Sequence, residues 1–324
     1  MVAAIERILA EEVAGDPIDG QRWTRKTTHG IACELKRVGV QVGAKTVARL
    51  LDHMGFSLKT CRKNIESGVK RKPGHRLRRN QQFIQINATR RTFDSADQPI
   101  ISVDGKKREM IGNFKNNGRV WRRESKEVND HDFRTDALGI ALPYGIYDVR
   151  RNTGLVVVGT ARETPAFAVD AIDRWWRANG ARYYPRADRL LILADSGGAN
   201  SARSRVWKWD LQQKIANRYG LKVTVCHYPP GASKWNPIEH RMFSEISKNW
   251  QGVPLDSYET VMKYIRTSKT ATGLKIAAAL DTKPYQIGEE VGDEEMALLN
   301  IRAKRTLPEW NYAIRPHIKI RKSM

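Results

Sequence analysis

The sequence predicts an α/β protein: a mixed sheet flanked by helices, preceded by a small helical domain. Three observations predict it. From residue 99 onward, strand-like and helix-like stretches alternate, the pattern of a sheet covered by helices. Residues 24–58 instead carry only a helical apolar period, in two short stretches joined by a tight turn. Between the two regions the chain is basic. Residues 62–91 hold ten Lys and Arg (62, 63, 70, 71, 72, 76, 78, 79, 90 and 91) against one acid, Glu66.

The bulk numbers bound the rest. A chain of 324 residues can bury a sizeable core and form two or more domains. Charged residues make up 28% and apolar residues 40%, the composition of a soluble globular protein. No apolar run approaches the ~20 residues of a membrane span. The start, Met-Val-Ala-Ala-Ile-Glu-Arg, lacks the apolar core of a signal peptide, so a cytoplasmic location is expected. Cys33, Cys61 and Cys226 are far apart and lack zinc spacing, which fits reduced thiols. The formal net charge of +22 calls for a polyanionic partner, and a nucleic acid is the first candidate. Further basic residues lie at Lys106-Lys107-Arg108, Arg119 to Arg123 and Lys319 to Lys322.

In chain order, residues 1–20 hold a short helical pattern (Ile5, Ile8, Leu9, Val13) that stops at Gly15-Asp16-Pro17. Residues 21–60 form the expected helical domain. Ile31, Leu35 and Val38 recur at helical spacing, as do Val47, Leu50, Leu51 and Met54, with Gly39 and Gly43 bracketing the connection. This spacing suits a helix-turn-helix whose second helix turns Lys45, Thr46, Arg49 and His53 outward. Any helical hairpin gives the same pattern, and the basic segment that follows favours the DNA-binding reading. Residues 61–95 read as a basic linker, broken at Pro73-Gly74, with a short helix from Gln81 to Arg91.

The sheet region spans residues 96–255. Ile100–Val103 is a strand. Tyr144–Val149 and Leu155–Gly159 form a hairpin around Asn152-Thr153-Gly154. Thr164-Pro165 opens a helix as N-cap and first residue, with Val169, Ile172, Trp175 and Trp176 inward. Arg189–Ala194 is a strand, Ser201–Tyr219 a helix and Lys222–His227 a strand. Asn236-Pro237 then opens a helix that runs to Trp250. Residues 256–324 are expected to be a basic, helical extension, with a helix at Ser257–Thr267.

Three carboxylates stand out within this pattern. Asp104 and Asp195 each end a strand-like apolar run, where α/β sheets commonly bind ligands. Either Asp alone is equally a turn residue. Glu239 occupies the third position after Asn236, where a Glu often folds back onto the helix cap. Helical phase argues for more. At about 100° per residue from Ile238, Met242, Ile246, Trp250 and Phe243 fall at about 40°, 80°, 120° and 140°. Glu239, at about 100°, lies inside that apolar stripe, where a carboxylate is costly unless paired or bound to a cation. Three such groups would suffice for two Mg²⁺ ions about 3.5–4 Å apart acting on a phosphodiester. The sequence has no Walker loop, dinucleotide fingerprint or nucleophilic triad.

These residues sit in longer motifs. Ile101-Ser-Val-Asp104-Gly-Lys-Lys107, Pro143-Tyr-Gly-Ile-Tyr-Asp148 and Leu191-Ile-Leu-Ala-Asp195-Ser-Gly-Gly-Ala-Asn200 are three of them. The longest is Cys226-His-Tyr-Pro-Pro-Gly-Ala-Ser-Lys-Trp-Asn-Pro-Ile-Glu239-His-Arg-Met-Phe. With Glu309-Trp-Asn-Tyr312, they resemble the DDE transposases of the ISAzo-type bacterial insertion-sequence family, from about residue 16 almost to the C-terminus. The resemblance implies an RNase H-like fold, with one Asp on the first strand, one after the fourth and the Glu on a later helix. It implies two Mg²⁺ or Mn²⁺ ions held by Asp104, Asp195 and Glu239, which match the family's catalytic positions. It also implies cleavage at element ends, then attack of a 3′-hydroxyl on target DNA. The partners would be double-stranded terminal repeats and target DNA, with a homo-oligomer assembled on them in the bacterial nucleoid.

On that reading, Lys45, Arg49, Arg71, Lys72, Arg78 and Arg79 are DNA contacts from the N-terminal half. Lys106, Lys107, Lys234, Trp235 and His240 flank the carboxylates and touch or order DNA, against an ordinary structural role for each. Two departures stand. Gly105 replaces the Thr expected in the family's Ser-Val-Asp-Thr-Lys-Lys stretch. Family members also carry roughly another helix-turn-helix domain ahead of the segment near Asp16; the alternatives are a truncated copy, with residues 1–20 the remnant of a truncated domain, a misplaced start codon or a split reading frame. The competing functions are a catalytically idle DNA-binding relic or repressor, and an RNase H-like nuclease.

Overall fold

A computed structural model describes residues 1–10, 14–15, 22–23, 26–58 and 74–317. The chain divides into two compact units, Met1–Glu66 and Ser67–Met324.

In the first unit, helix α1 (Val2–Ala10) is followed by a two-residue strand pair, β1 (Ala14–Gly15) and β2 (Arg22–Trp23). Helices α2 (Thr28–Arg37) and α3 (Ala44–His53) come next. Thr27 caps α2 by accepting from the Gly30 amide at 3.0 Å. Ile5, Leu9, Ile31, Leu35 and Val47 form the core, with Leu50, Leu51 and Met54 packed against it. Val38, which the spacing places inward, is exposed because α2 ends at Arg37 and Val38 is its C-cap.

The second unit begins with α4 (His75–Ser95) and the strands β3 (Ile100–Gly105), β4 (Glu109–Ile111), β5 (Gly139–Asp148) and β6 (Thr153–Gly159). Helix α5 (Pro165–Trp175) continues through a π-helical turn into α6 (Ala181–Tyr183), followed by β7 (Arg189–Ala194). Helix α7 (Arg205–Asp210), β8 (Lys222–His227), α8 (Ser244–Trp250) and α9 (Tyr258–Thr267) follow. The last elements are β9 (Lys275–Asp281), α10 (Asp293–Ala297), β10 (Ile301–Ala303) and β11 (Asn311–Ile314).

Among the described residues, nine strands form one mixed sheet in the order β10-β11-β8-β7-β3-β5-β6-β9, with β4 on an end of β5. β3, β7 and β8 run parallel, and β5 is antiparallel to β3 and β6. Alternation along the strands feeds both faces. Ile101, Val103, Ile192 and Ala194 pack under α5 and α7. Ile100, Leu191 and Leu193 pack against Ile86 and Phe93 of α4, while Val156 and Val158 pack under residues 237–250 and α9.

Several expected elements change. The helix read at Gln81–Arg91 runs from His75 to Ser95, because Gln82, Ile86, Thr89 and Phe93 make a narrow buried stripe on an otherwise polar helix. The helix read at Ser201–Tyr219 starts only at Arg205, where Ser204 accepts from the Trp207 amide. It turns π-helical over Leu211–Asn217. The helical extension at 256–324 is corrected more deeply. Among the described residues there, only α9 and the short α10 are α-helical, and β9, β10 and β11 belong to the main sheet. Lys-Ile-Ala-Ala-Ala-Leu-Asp looks helix-forming, but pairing with β6 overrides that local preference.

Candidate active site

Register places the two aspartates. β3 and β7 are parallel neighbours with Val103 opposite Ala194. Asp104 is the next residue on β3 and Asp195 the first beyond β7. Both therefore emerge at the carboxyl ends of adjacent parallel strands.

Glu239 arrives from the helix of residues 237–250, which a buried latch ties to β3. Ser102 shares a face of β3 with Asp104. Its hydroxyl donates to Asn236 Oδ1 at 2.5 Å and accepts from the Ile238 amide at 3.0 Å. Asn236 Nδ2 donates to the Val103 carbonyl at 3.1 Å. Ser102, Asn236 and Ile238 are all fully buried. Gly145, opposite Asp104 on β5, lets the helix lie close: a Cβ there would stand 2.7 Å from atoms of Ile238, Met242 and Phe243. Ile238, Met242, Phe243, Ile246 and Trp250 are buried as the phase predicts, and Glu239 is half-buried. Its turn is π-helical, and no side-chain hydrogen bond caps it.

A second network holds the backbone around Asp195. Asn200 Nδ2 points to Asp195 Oδ1 at 3.4 Å, while Asn200 Oδ1 accepts from the Tyr144 hydroxyl at 2.5 Å. Behind them, His227 Nδ1 lies 2.7 Å from the Asp195 carbonyl and Nε2 lies 3.1 Å from the Tyr312 hydroxyl. Trp207 donates to that same hydroxyl at 2.9 Å. Burial pushes His227 down to about 4, so it is neutral near pH 7. Nδ1 then carries the proton, since a carbonyl can only accept, and Tyr312 donates to Nε2.

The carboxylates oppose one another. Burial, then Asp195 and Glu239, push Asp104 up to about 9. Burial also raises Glu239, against the pull of Lys106 and of a hydrogen bond from Asp104. Asp195 is raised by burial, with Asn200 and the Gly197 amide holding it back. A fourth carboxylate, Glu163, is raised by desolvation and by Asp195. Lys106 is lowered by its burial, while Glu109, 3.6 Å away, and Glu239 support its charge. Its ammonium sits 4.7 Å from the Trp250 ring centre. Among the described residues, no three His, Cys, Asp or Glu side chains are close enough as they stand to hold one metal ion. Beside the carboxylates lies a cleft of about 1040 Å³, lined by Lys106, Lys107, Arg108, Arg134, Arg162 and Glu163 among others.

The family model of the Rhodopirellula transposase DDE domain matches residues 4–316. The chain belongs to this family. It is a DDE transposase, an enzyme of DNA recombination carried by mobile elements. No curated protein matches it. Similar solved structures include the Mos1 mariner paired end complex with Mn, at 17% identity over 82% of this chain and 70% of that one, TM-score 0.46. The Mos1 Strand Transfer Complex is 16% identical over 82% of this chain and 69% of that one, TM-score 0.46. The Mos1 paired end complex with Mg is 17% identical over the same shares, TM-score 0.45.

The other expected site residues of the transposase fall in different settings. Lys45 and Arg49 are exposed on α3 of the first unit. Arg71 and Lys72 lie outside the described residues. Arg78 pairs with Glu309 and lies 5.9 Å from the Trp310 ring, so it closes α4 onto the chain's own C-terminal segment. Arg79 stands over Phe83 at 6.0 Å. Lys107, Lys234 and His240 are exposed. Trp235 is 54% exposed and meets Phe83 edge-on at 6.1 Å. Sequence reasoning assigned no role to Ser102, Tyr144, Asn200 or His227, and to Asn236 only the opening of a helix, although every one lies inside a quoted motif. Glu163 lies outside all of them, and its only local signal is its place just before the Thr164-Pro165 helix start.

Proposed function

We propose that this transposase cuts DNA at the ends of its insertion sequence and joins the freed 3′-hydroxyl to target DNA, using two Mg²⁺ or Mn²⁺ ions. One observation supports the reading: the charges of Asp104, Asp195 and Glu239, from three separate elements, act on one another beside a basic cleft. The donor set suits such ions, because hard divalent cations prefer carboxylate oxygen. The charges suit them too. Asp104 is held up to about 9 by burial and by the like charges of Asp195, Glu239 and Glu163, and a cation would relieve that repulsion. When bound, the ions supply activation of the attacking oxygen and neutralisation of the leaving oxygen.

The chain's own residues do the rest. Asp104, Asp195 and Glu239 hold the ions, and the latch of Ser102 and Asn236 fixes the third relative to the first. Lys106, Lys107 and Lys234 meet phosphates, and Trp235 and His240 order the strand beside them. Lys45 and Arg49 of α3 act as the DNA-reading face of a helix-turn-helix, with Arg71, Lys72 and Arg79 adding phosphate contacts. The partners are double-stranded element ends and target DNA, on which copies of the chain assemble.

The test is a joining assay with the purified protein and DNA carrying the element's ends. Nicked and joined products should form only with Mg²⁺ or Mn²⁺. Asp195→Asn should lower the rate by at least about 10²-fold, the scale of removing a group that organises transition-state charge. Activity surviving that substitution refutes the reading. Hydrolysis without joining would favour a nuclease, and binding without either a DNA-binding relic.

A further inference from the structure

We propose that target DNA lies along a basic track that leaves the carboxylate centre and ends at Trp121, where the indole stacks on one of its bases. The inference rests on the joining reaction proposed above and deepens it by placing the second DNA substrate. Three cavities make up the track. The cleft beside the carboxylates shares Lys107, Arg108, Arg134 and Ile140 with a second cavity of about 540 Å³. The second shares Lys115 and Asn116 with a third, of about 590 Å³. Arg119, Arg122, Arg123 and Lys126 line the third against one acid, Glu124. The acids of the second are Asp132 and Glu109, and Glu109 lies 3.6 Å from Lys106.

The segment at the far end of the track is anchored. It follows β4 and is tied to residues 250–256, at the end of the helix that carries Glu239. Asn116 Nδ2 donates to the Trp250 carbonyl at 2.9 Å, and the Gly252 amide donates to the Asn117 carbonyl at 2.9 Å. The Gly112 amide donates to the Leu255 carbonyl at 2.9 Å, and Lys126 pairs with Asp256 at 3.4 Å. Gly118 and Gly252 let the two backbones touch. Both have positive φ, 113° and 67°, and a Cβ on Gly118 would stand 2.7 Å from Gln251 Cβ. These contacts set the loop at a fixed place relative to the carboxylate centre.

The side chains this loop holds out are not used by the fold. Lys115, Arg119, Arg122 and Arg123 are exposed, and among the described residues none of their side chains makes a hydrogen bond or an ion pair. Trp121 is wholly exposed between Val120 and Arg122, both of which line the third cavity. The four cations offer phosphate contacts, which give affinity and carry no sequence information. The indole offers stacking, which every base accepts. An element end has a fixed sequence to be read, whereas a target need not. A track of phosphate contacts and stacking therefore suits the target.

The test is fluorescence anisotropy with the whole chain, a duplex of random sequence and no divalent metal. The double variant Arg122→Ala, Arg123→Ala should lower the slope of log affinity against log salt by about 2, as two lost phosphate contacts require. Trp121→Ala should weaken binding about fivefold or more with little change of slope, since stacking releases no counterions, and Trp121→Phe should keep most of the affinity. The thermal midpoints should stay within about 2 °C of the parent's, because the replaced side chains are exposed. In a joining assay with pre-cut ends, the double variant and Trp121→Ala should need more target for half-maximal joining and reach the parent's rate at saturation. Parental affinity of both variants for the random duplex overturns the proposal and leaves the joining reaction untouched. A loss confined to element-end DNA also overturns it, since the track would then hold the ends. If the variants lose random-duplex affinity while the parent joins nothing with Mg²⁺ or Mn²⁺, the joining reading falls and the track stands as a surface for DNA of no fixed sequence.

Discussion

Asp104 is the residue at which stability and chemistry conflict. It is 7% exposed and lies among like charges, so it takes up a proton when the protein folds. A carboxyl whose folded pKa exceeds its unfolded one stabilises fully at low pH and loses that contribution as pH rises to the folded value. Here the window runs from the ordinary 3.8 to about 9. In EDTA, the parent's thermal midpoint should therefore fall across that range more steeply than that of Asp104→Asn. By pH 8 the variant should melt about 2 °C or more above the parent, as a change of about 1 kcal/mol gives in a domain of this size. A calorimetric scan in EDTA checks it. Equal slopes for the two proteins would mean that Asp104 is ionised throughout. The aspartates were legible in the sequence because each closes an apolar strand. Glu163 was not: it follows β6, which β5 separates from β3 in the sheet, and no spacing along the chain brings its charge near Asp104.

The helix of residues 237–250 shows what an element contributes. Its apolar stripe was readable from phase, and its approach to the sheet was not. That approach depends on Gly145 and on the Ser102–Asn236 latch, contacts between residues more than ninety positions apart in sequence. Asn236→Ala would take the acceptor from the Ser102 hydroxyl proton and a donor from the Val103 carbonyl in a buried interior. The expected cost is about 1–3 kcal/mol, the penalty for orphaned buried polar groups, read as a lower urea midpoint. Joining activity should fall further than stability alone explains, because Glu239 rides on the same helix. Gly145→Ala should act by the opposite route, overpacking against Ile238, Met242 and Phe243 and costing about 1–3 kcal/mol. If both variants unfold at the parent's urea concentration, the latch and the close approach are not what hold this helix. The C-terminal strands were missed for a related reason. Lys275–Asp281 and Asn311–Ile314 gain their strand form from neighbours far away in sequence, so their local composition points elsewhere.

At the scale of the whole molecule, the net charge of +22 is distributed over both units and not confined to the cleft. A catalytic centre and a DNA-reading element impose different requirements, and charge separates them. Phosphate contacts release counterions, so each one lost should lower the slope of log affinity against log salt by about 0.9 for duplex DNA. Lys45 and Arg49 are both exposed on α3. Replacing both with alanine should reduce the slope for element-end DNA by about 2, and should weaken binding most at low salt. The stability of the protein should hardly change, since exposed substitutions of this kind cost within about 0.5 kcal/mol. Cleavage of saturating end DNA should proceed at the parent's rate, because neither residue belongs to the carboxylate centre. Fluorescence anisotropy over a salt series measures the slope, and a single-turnover assay measures the rate. An unchanged slope would remove α3 from the DNA interface. An unchanged slope with a slowed single turnover would instead place the first unit in the chemistry.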